Sequence, residues 1–350
     1  MRDQPIDILA QTMNEMPWPD LVLVRLVLSI VLAWVVIVGF GFALRTPAAV
    51  RSGLAWLAVL GVVAAPMVIP SDCVGTRALA LFLGIDSVFK LIDADRRAAQ
   101  YPATLAGFRK YVRFFVPFPM LLVTGEERAA SERVTSSMKS AVVRTGIGLA
   151  LFLVAWGVLF GLQKSALLGS SFVLDHIAKT ALFGVTLEIM GLLAAGLERL
   201  AGFEPPRLMQ WILLSRTPAQ FWLRYNTRVH MWLMRNVFRR VGGVRHPVWG
   251  VVLVFFVSAV FHEVTFDIAL SHVDGYQFTF FMLQIPAVLA SPALERFAKR
   301  GEAAGLIAHF VTIAWFVVTS VFFFRGIAQI FPFFYTAPMP GAVFGEWRFA

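Results

Sequence analysis

The sequence has few of the residues that a soluble protein surface requires. Only 15% of its 350 residues are charged and 58% are hydrophobic, whereas a soluble domain has about 25% charged and 45–50% apolar residues. This hydrophobicity excludes intrinsic disorder. The single cysteine, Cys73, excludes an internal disulfide framework and a cysteine-rich metal site. No phosphate-binding glycine loop and no G-x-S-x-G elbow occurs. The net charge of +10 is distributed among apolar stretches, so we expect no nucleic-acid partner.

Long apolar runs predict an all-α, polytopic membrane protein that forms a single membrane-embedded domain over residues 1–350. A spanning helix needs about 20 apolar residues. Eight stretches come close to this length, at residues 21–44, 54–70, 77–93, 141–162, 178–197, 248–268, 276–294 and 304–330. The shorter run 113–123 contains two prolines and is predicted to be interfacial or re-entrant, and 124–140 is predicted to be a solvated linker. Keeping the basic loops cytosolic places both termini outside, in a bacterial inner or endoplasmic-reticulum-type membrane.

An arginine-rich segment without any acidic residue extends from Arg207 to Phe261. On one continuous helix, four of its arginines would share a face, and an aromatic face with neutral polar groups would lie opposite. The four are Arg224, Arg228, Arg235 and Arg239, and the opposite face carries Trp222, Asn226 and His230. The pattern predicts a cytosolic amphipathic helix. Its arginines could bind anionic headgroups, or the phosphates of a nucleotide cosubstrate, and the two interpretations are compatible.

One histidine lies deep within a predicted span. Ser258, His262 and Thr265 form a polar stripe on an otherwise apolar helix, and Glu263 follows the histidine directly. Such groups usually line a cavity or a pathway, and imidazole is suited to accept a proton near neutral pH. A hydrogen bond between packed helices is the alternative. No metal site is predicted, because Phe266 occupies the position of the second histidine of a zinc protease.

Other polar residues in the predicted spans are weaker candidates. Asp86 and Lys90 have the spacing of a self-neutralising pair. Glu188 is either a functional acid or a partnered structural one. The remaining histidines, among them His176, have no constellation of polar residues around them in the sequence.

The arginine-rich segment and the segment around His262 together resemble the membrane-bound O-acyltransferase family, in the branch of the wax synthases and the sterol and diacylglycerol acyltransferases. The segment TPAQFWLRYNTRVHMWLMRNVF is similar to the family's Phe-Trp, Arg, aromatic, Asn motif, and SAVFHE to its His-Glu motif. The resemblance covers residues 205–270. It implies that His262 is the general base, that Asn226 is the second active-site polar residue, and that Trp222 and Arg224 shape the thioester entrance. Three positions depart from the sterol-type pattern, namely Leu223, Tyr225 and Asn236.

The resemblance implies transfer of an acyl group from acyl-CoA to a lipophilic alcohol in an internal catalytic chamber. The product would be a wax ester, an acylglycerol or an acylated terpenoid or sterol-like alcohol. Acyl-CoA is a cosubstrate, no cofactor is expected, and the partners are the alcohol and membrane lipids. The candidate substrate-contacting residues are Trp222, Arg224, Tyr225, Arg228, His230, Arg235, Arg239, Ser258 and Glu263. The alternatives are a proton-coupled transporter or lipid flippase that uses His262 and Glu188, and a membrane scaffold.

Overall fold

The computed structural model describes residues 19–97, 105–116, 135–341 and 347–348. These residues are almost entirely helical, and the chain divides into two compact units, Met1–Arg96 and Arg97–Ala350. The prediction of one continuous domain stays a prediction. The all-α fold class is confirmed.

The described part of the first unit, from residue 19 onwards, contains three long helices. Their bounds are α1 Pro19–Ala43, α2 Ala48–Ala64, which a 3-10 turn at Ala65–Val68 prolongs, and α3 Val74–Arg97. In α3, Lys90 Nζ lies 2.6 Å from Asp86 Oδ2, and both side chains are buried. The self-neutralising pair that their spacing predicts is therefore present. Near the end of α3, Asp95 pairs with Arg51 of α2 at 3.0 Å.

The described residues of the second unit form the other helices and a short pair of strands. In chain order the helices are α4 Phe108–Phe115, α5 Met138–Leu162, α6 Ala166–Gly169, α7 Phe172–Leu200, α8 Pro218–Arg224, α9 Thr227–Leu233, α10 Pro247–Leu270, α11 Tyr276–Ala298 and α12 Glu302–Ile330. A 3-10 turn at Ile212–Leu214 precedes α8, and a π-helical turn at Met234–Phe238 prolongs α9. Strands β1 (His272–Val273) and β2 (Trp347–Arg348) pair antiparallel.

Within the described ranges, seven helices are long and apolar enough to span a membrane. They are α1, α2 with its 3-10 turn, α5, α7, α10, α11 and α12. The predicted span 77–93 is the exception, since it forms the charged helix α3, in which Arg77, Asp86, Lys90 and Asp93 are buried. Most of the predicted re-entrant run 113–123 and linker 124–140 lies outside the described residues. The sides of the loops and termini stay predictions.

Small residues let α5 and α7 approach closely. A Cβ atom placed on Gly196 of α7 would lie 2.5 Å from Thr145 Oγ1, and one on Gly148 of α5 would lie 2.9 Å from Leu193 Cα. Contacts of this kind replace the hydrophobic driving force that packed helices lack in lipid. They fix the position of α7, against which the candidate site is built.

Candidate active site

The arginine-rich segment is two short helices rather than one. Asn226 adopts a left-handed backbone (φ +41°) between α8 and α9, and its Oδ1 accepts a hydrogen bond of 3.3 Å from Val229 N. The single amphipathic helix predicted from the arginine spacing is therefore wrong. Asparagine tolerates this backbone conformation and is a favoured N-cap, so the break falls at the residue best suited to it.

An irregular strip of chain, residues 207–211, supports the turn at Asn226. Gln210 N donates to Arg224 O at 3.1 Å, and Thr227 N donates to Leu208 O at 3.0 Å. Asn226 N itself contacts Met209 Sδ at 3.3 Å. These bonds satisfy backbone groups that the broken helix leaves free. The position of Asn226 consequently depends on this strip.

Two acidic residues of α7 hold the strip and α9 in place. Glu198 forms a bidentate, buried ion pair with Arg228, with N–O distances of 2.6 and 2.7 Å. Arg228 Nε also donates to Pro206 O at 2.9 Å. Glu188 Oε1 accepts a hydrogen bond from Ile212 N. Arg228 thus lies on no exposed cationic face, contrary to expectation, and Glu188 has a structural partner.

The other three arginines have different surroundings. Arg224 is partly buried and donates from Nη1 to Trp211 O at 3.2 Å. Arg235 lies in the π-helical turn and is partly buried, whereas Arg239 is exposed. The common face does not form, because the break at Asn226 and the π-helical turn both change the angular register.

His262 lies in α10, and one of its two ring nitrogens forms a hydrogen bond. Its Nδ1 is 2.8 Å from the carbonyl oxygen of Ser258, one turn earlier. A carbonyl oxygen can only accept, so Nδ1 carries the proton and Nε2 presents a lone pair. Nε2 makes no hydrogen bond to any described residue. The ring is partly exposed and lies 4.1 Å from the Phe281 ring, centroid to centroid. Ser258 acts here through its backbone.

Glu263 faces the start of α11 rather than an open site. Its Oε1 accepts from Gly275 N at 2.5 Å, and its Oε2 accepts from Phe278 N at 2.7 Å. The two donors are the N-cap residue of α11, the left-handed Gly275, and a residue of its first turn, Phe278. The carboxylate of Glu263, which was expected to contact the substrate, instead caps the start of α11 and so connects α10 with α11.

An aromatic cluster connects α8 with the histidine. The ring centroid of Trp222 is 5.7 Å from that of Phe281 and 5.5 Å from that of Tyr225. Trp222 Nε1 is buried and has no acceptor among the described residues. Burial raises the pKa of Tyr225 and lowers the pKa of His230, which favours the neutral form of both. Trp222 and His262 thus share Phe281, whereas no described contact joins Asn226 to His262.

A second polar cluster, which the sequence analysis missed, lies around His176. Its Nδ1 is 2.6 Å from the hydroxyl of Tyr335, and its Nε2 is 2.7 Å from Val317 O. The adjacent Asp175 pairs with Lys179 at 3.2 Å. The interpretation of His176 as isolated is wrong, because its partners are more than 130 residues away in the sequence.

Two cavities stand out in the described part of the chain, with volumes of about 70 and 230 Å³. The larger is apolar and lies between α1 and α2, and the smaller lies near the end of α12. Neither is lined by His262, Asn226 or Trp222. The predicted catalytic chamber therefore stays a prediction.

Comparison of the sequence with models of protein families identifies a family for this chain. The sequence model of the membrane-bound O-acyltransferase family matches residues 114–337, more than half of the chain. The matched range includes α7 to α12, and with them Trp222, Asn226 and His262. No curated protein matches.

Proposed function

The chain belongs to the membrane-bound O-acyltransferase family, and we propose that it transfers an acyl group from acyl-CoA to the hydroxyl group of a lipophilic alcohol. The observation that carries the proposal is the hydrogen bond from His262 Nδ1 to Ser258 O. It leaves Nε2 as a proton acceptor in a partly exposed position, which is the state that a general base requires.

The proposed reaction is a direct transfer. His262 Nε2 takes the proton from the alcohol hydroxyl as its oxygen attacks the thioester carbon. The C–O bond forms, the C–S bond breaks, and the proton passes from Nε2 to the leaving thiolate, which gives the ester and free coenzyme A. A positioned base of this kind typically contributes about 10²–10⁴ in rate.

Two further side chains supply hydrogen-bond donors for the thioester carbonyl. Asn226 uses Oδ1 to cap α9, so its Nδ2 is the end of the amide that remains for a substrate. Trp222 Nε1 has no acceptor among the described residues, although buried indole N–H groups usually have one. In the proposed reaction these donors stabilise the negative charge that develops on the carbonyl oxygen.

Two arginines of the same segment suit the nucleotide head of acyl-CoA. Arg239 is exposed and Arg224 is partly exposed, and guanidinium groups bind phosphate well. Arg228 is excluded from this role, since its guanidinium is occupied by Glu198. The acceptor class, the acyl chain length, and whether the chain belongs to the wax synthase-like or the sterol branch remain part of the proposal.

An acyl-transfer assay tests the proposal. The purified protein receives labelled acyl-CoA with a long-chain alcohol, a diacylglycerol or a sterol, and ester formation is measured. We expect His262→Ala to lower kcat about 10²–10⁴-fold and Asn226→Ala about 10²–10³-fold. His246→Ala is the matched control, because His246 is exposed at the start of the same helix.

Two results would contradict the proposal. Wild-type turnover by His262→Ala would show that His262 is not the general base. Proton-coupled flux without any acylated product would instead favour a transporter. The bond from Ile212 N to Glu188 counts against the transporter, because it gives that acid a structural role.

A further inference from the structure

A small cavity near the end of α12 contains an arginine. The cavity has a volume of about 70 Å³, and its lining includes Tyr276, Phe322, Arg325, Met339 and Pro340. Liquid water occupies about 30 Å³ per molecule, so the space suits two waters or one small charged group. It is separate from the residues assigned to acyl transfer.

The guanidinium of Arg325 is held in place from two sides. Its Cζ atom lies 4.7 Å from the ring centroid of Tyr276, which is itself 2% exposed. Its Nη1 donates to Pro340 O at 3.0 Å. A cation over an aromatic face and a hydrogen bond at one end fix the orientation of the planar group.

The other edge of the same guanidinium has no partner. Nε is buried without an acceptor, and Nη2 makes no hydrogen bond to a described residue. No carboxylate of the described chain forms an ion pair with Arg325. Nε and Nη2 form the side-on fork that binds two oxygen atoms of one anion. A buried donor without a partner is costly and requires an explanation.

The position of Arg325 along α12 indicates its depth in the membrane. Arg325 follows Glu302, the first residue of α12, by 325 − 302 = 23 residues, which corresponds to roughly 35 Å of helix. The hydrocarbon core of a bilayer is about 30 Å thick. If α12 starts at one face of the membrane, Arg325 therefore lies among the headgroups of the other.

We propose that Arg325 and its cavity bind the phosphate group of an anionic membrane phospholipid. Two phosphate oxygens accept hydrogen bonds from Nε and Nη2, while Phe322 and Met339 contact the apolar part of the lipid. The phosphate supplies the countercharge and the acceptors that the chain does not provide. Because the site is separate from His262, the proposal does not depend on acyl transfer.

Lipid binding to the full-length protein tests this proposal. The protein is delipidated in detergent and titrated with short-chain phosphatidylglycerol or phosphatidylcholine, and bound lipid is counted by native mass spectrometry. We expect one tight phosphatidylglycerol, weakened at least tenfold by Arg325→Gln and several-fold by Arg325→Lys, which keeps the charge but loses the fork. Arg300→Gln is the control, since Arg300 is exposed and also lies over a phenylalanine ring.

A second variant separates loss of binding from loss of folding. Met339→Phe fills the cavity and leaves the guanidinium and its bond to Pro340 in place, so it should weaken phosphatidylglycerol binding at an unchanged melting temperature. Equal binding by wild type and Arg325→Gln would overturn the proposal. Displacement of the lipid by millimolar inorganic phosphate would assign the site to free phosphate, and tighter binding of oleate would assign it to a carboxylate; either result overturns it.

Discussion

The chemistry proposed for His262 depends on its own helix. In a regular helix the carbonyl four residues earlier is within reach of a histidine ring, and here Ser258 O accepts from Nδ1 at 2.8 Å. The tautomer that leaves Nε2 basic is thus set by local geometry and needs no carboxylate partner. Glu263, the adjacent acid, points elsewhere and binds the first turn of α11.

For single residues, the sequence predicted which helix carries the histidine, but it did not predict which groups the neighbouring side chains contact. The stripe of Ser258, His262 and Thr265 places the histidine correctly on α10. The sequence could not show that Glu263 caps another helix, because Gly275 and Phe278 become neighbours only when α10 and α11 pack together.

Replacing Glu263 by glutamine should lower stability. Glutamine keeps one acceptor oxygen, but its amide N–H₂ opposes one of the two backbone N–H groups. The free energy of unfolding should fall by about 1–3 kcal/mol, the cost of a buried unsatisfied donor. The measurement is thermal unfolding in detergent. Glu302→Gln, at an exposed acid in the first turn of α12, should change stability by less than about 1 kcal/mol. An equal effect of both substitutions would contradict the cap.

At the scale of elements, the candidate site consists of three parts that contact one another in order, namely α7, the strip 207–211 and the turn at Asn226. The stripe Gly184, Glu188, Gly191 and Glu198 on α7 contacts Leu213, Ile212, Met209 and Arg228, respectively. The strip 207–211 lies on this face and in turn bonds the turn at Asn226. The apolar run at 178–197 predicted α7 itself, whereas the spacing of the arginines predicted one continuous helix over the motif. The break depends on hydrogen bonds from the strip, which no pattern within the motif encodes.

Weakening the pair of Glu198 and Arg228 should therefore change both stability and catalysis. Glu198→Gln leaves a buried guanidinium without its countercharge and should cost about 3–5 kcal/mol. Arg228→Lys keeps the charge but cannot form the bidentate pair. This milder variant should remain folded and lose at least about tenfold in kcat, because Asn226 is displaced from its working position.

The measurements for this pair are melting temperature and kcat per folded molecule in the acyl-transfer assay. Arg296→Lys, at an exposed position near the end of α11, should leave both unchanged. If Arg228→Lys retains wild-type kcat, then the pair stabilises the fold without positioning Asn226.

At the scale of the whole molecule, the sequence predicted an all-α membrane protein and its family. Length and hydrophobicity suffice for the fold class, because a spanning helix must satisfy its own backbone, whereas the family followed from the resemblance of two motifs. They do not reveal which polar groups meet after the spans have packed. The segment after α12 illustrates this limit, because it returns to the start of α7 and binds the cluster around Asp175, His176 and Lys179.

Buried charges hold residues 334–337 of this returning segment in place. Lys179 Nζ donates to Phe334 O at 2.8 Å and pairs with Asp175 at 3.2 Å. Asp175 Oδ2 accepts from the backbone nitrogens of Thr336 and Ala337 at 2.6 and 3.0 Å. Both charged side chains are fully buried, so removing either one leaves the other without its countercharge.

Lys179→Met should accordingly lower the free energy of unfolding by about 3–5 kcal/mol and should increase amide hydrogen exchange in residues 331–337. The double variant Asp175→Asn, Lys179→Met should recover part of this loss, because no lone charge remains buried. Lys299→Met is the matched control, since Lys299 and Glu295 have the same spacing at 3.1 Å but are largely exposed, and such pairs contribute at most about 1 kcal/mol. If the two lysine variants melt at the same temperature, or if exchange in 331–337 does not respond to Lys179→Met, the returning segment is held by its aromatic contacts instead, among them Phe334 on Phe324 at 5.1 Å.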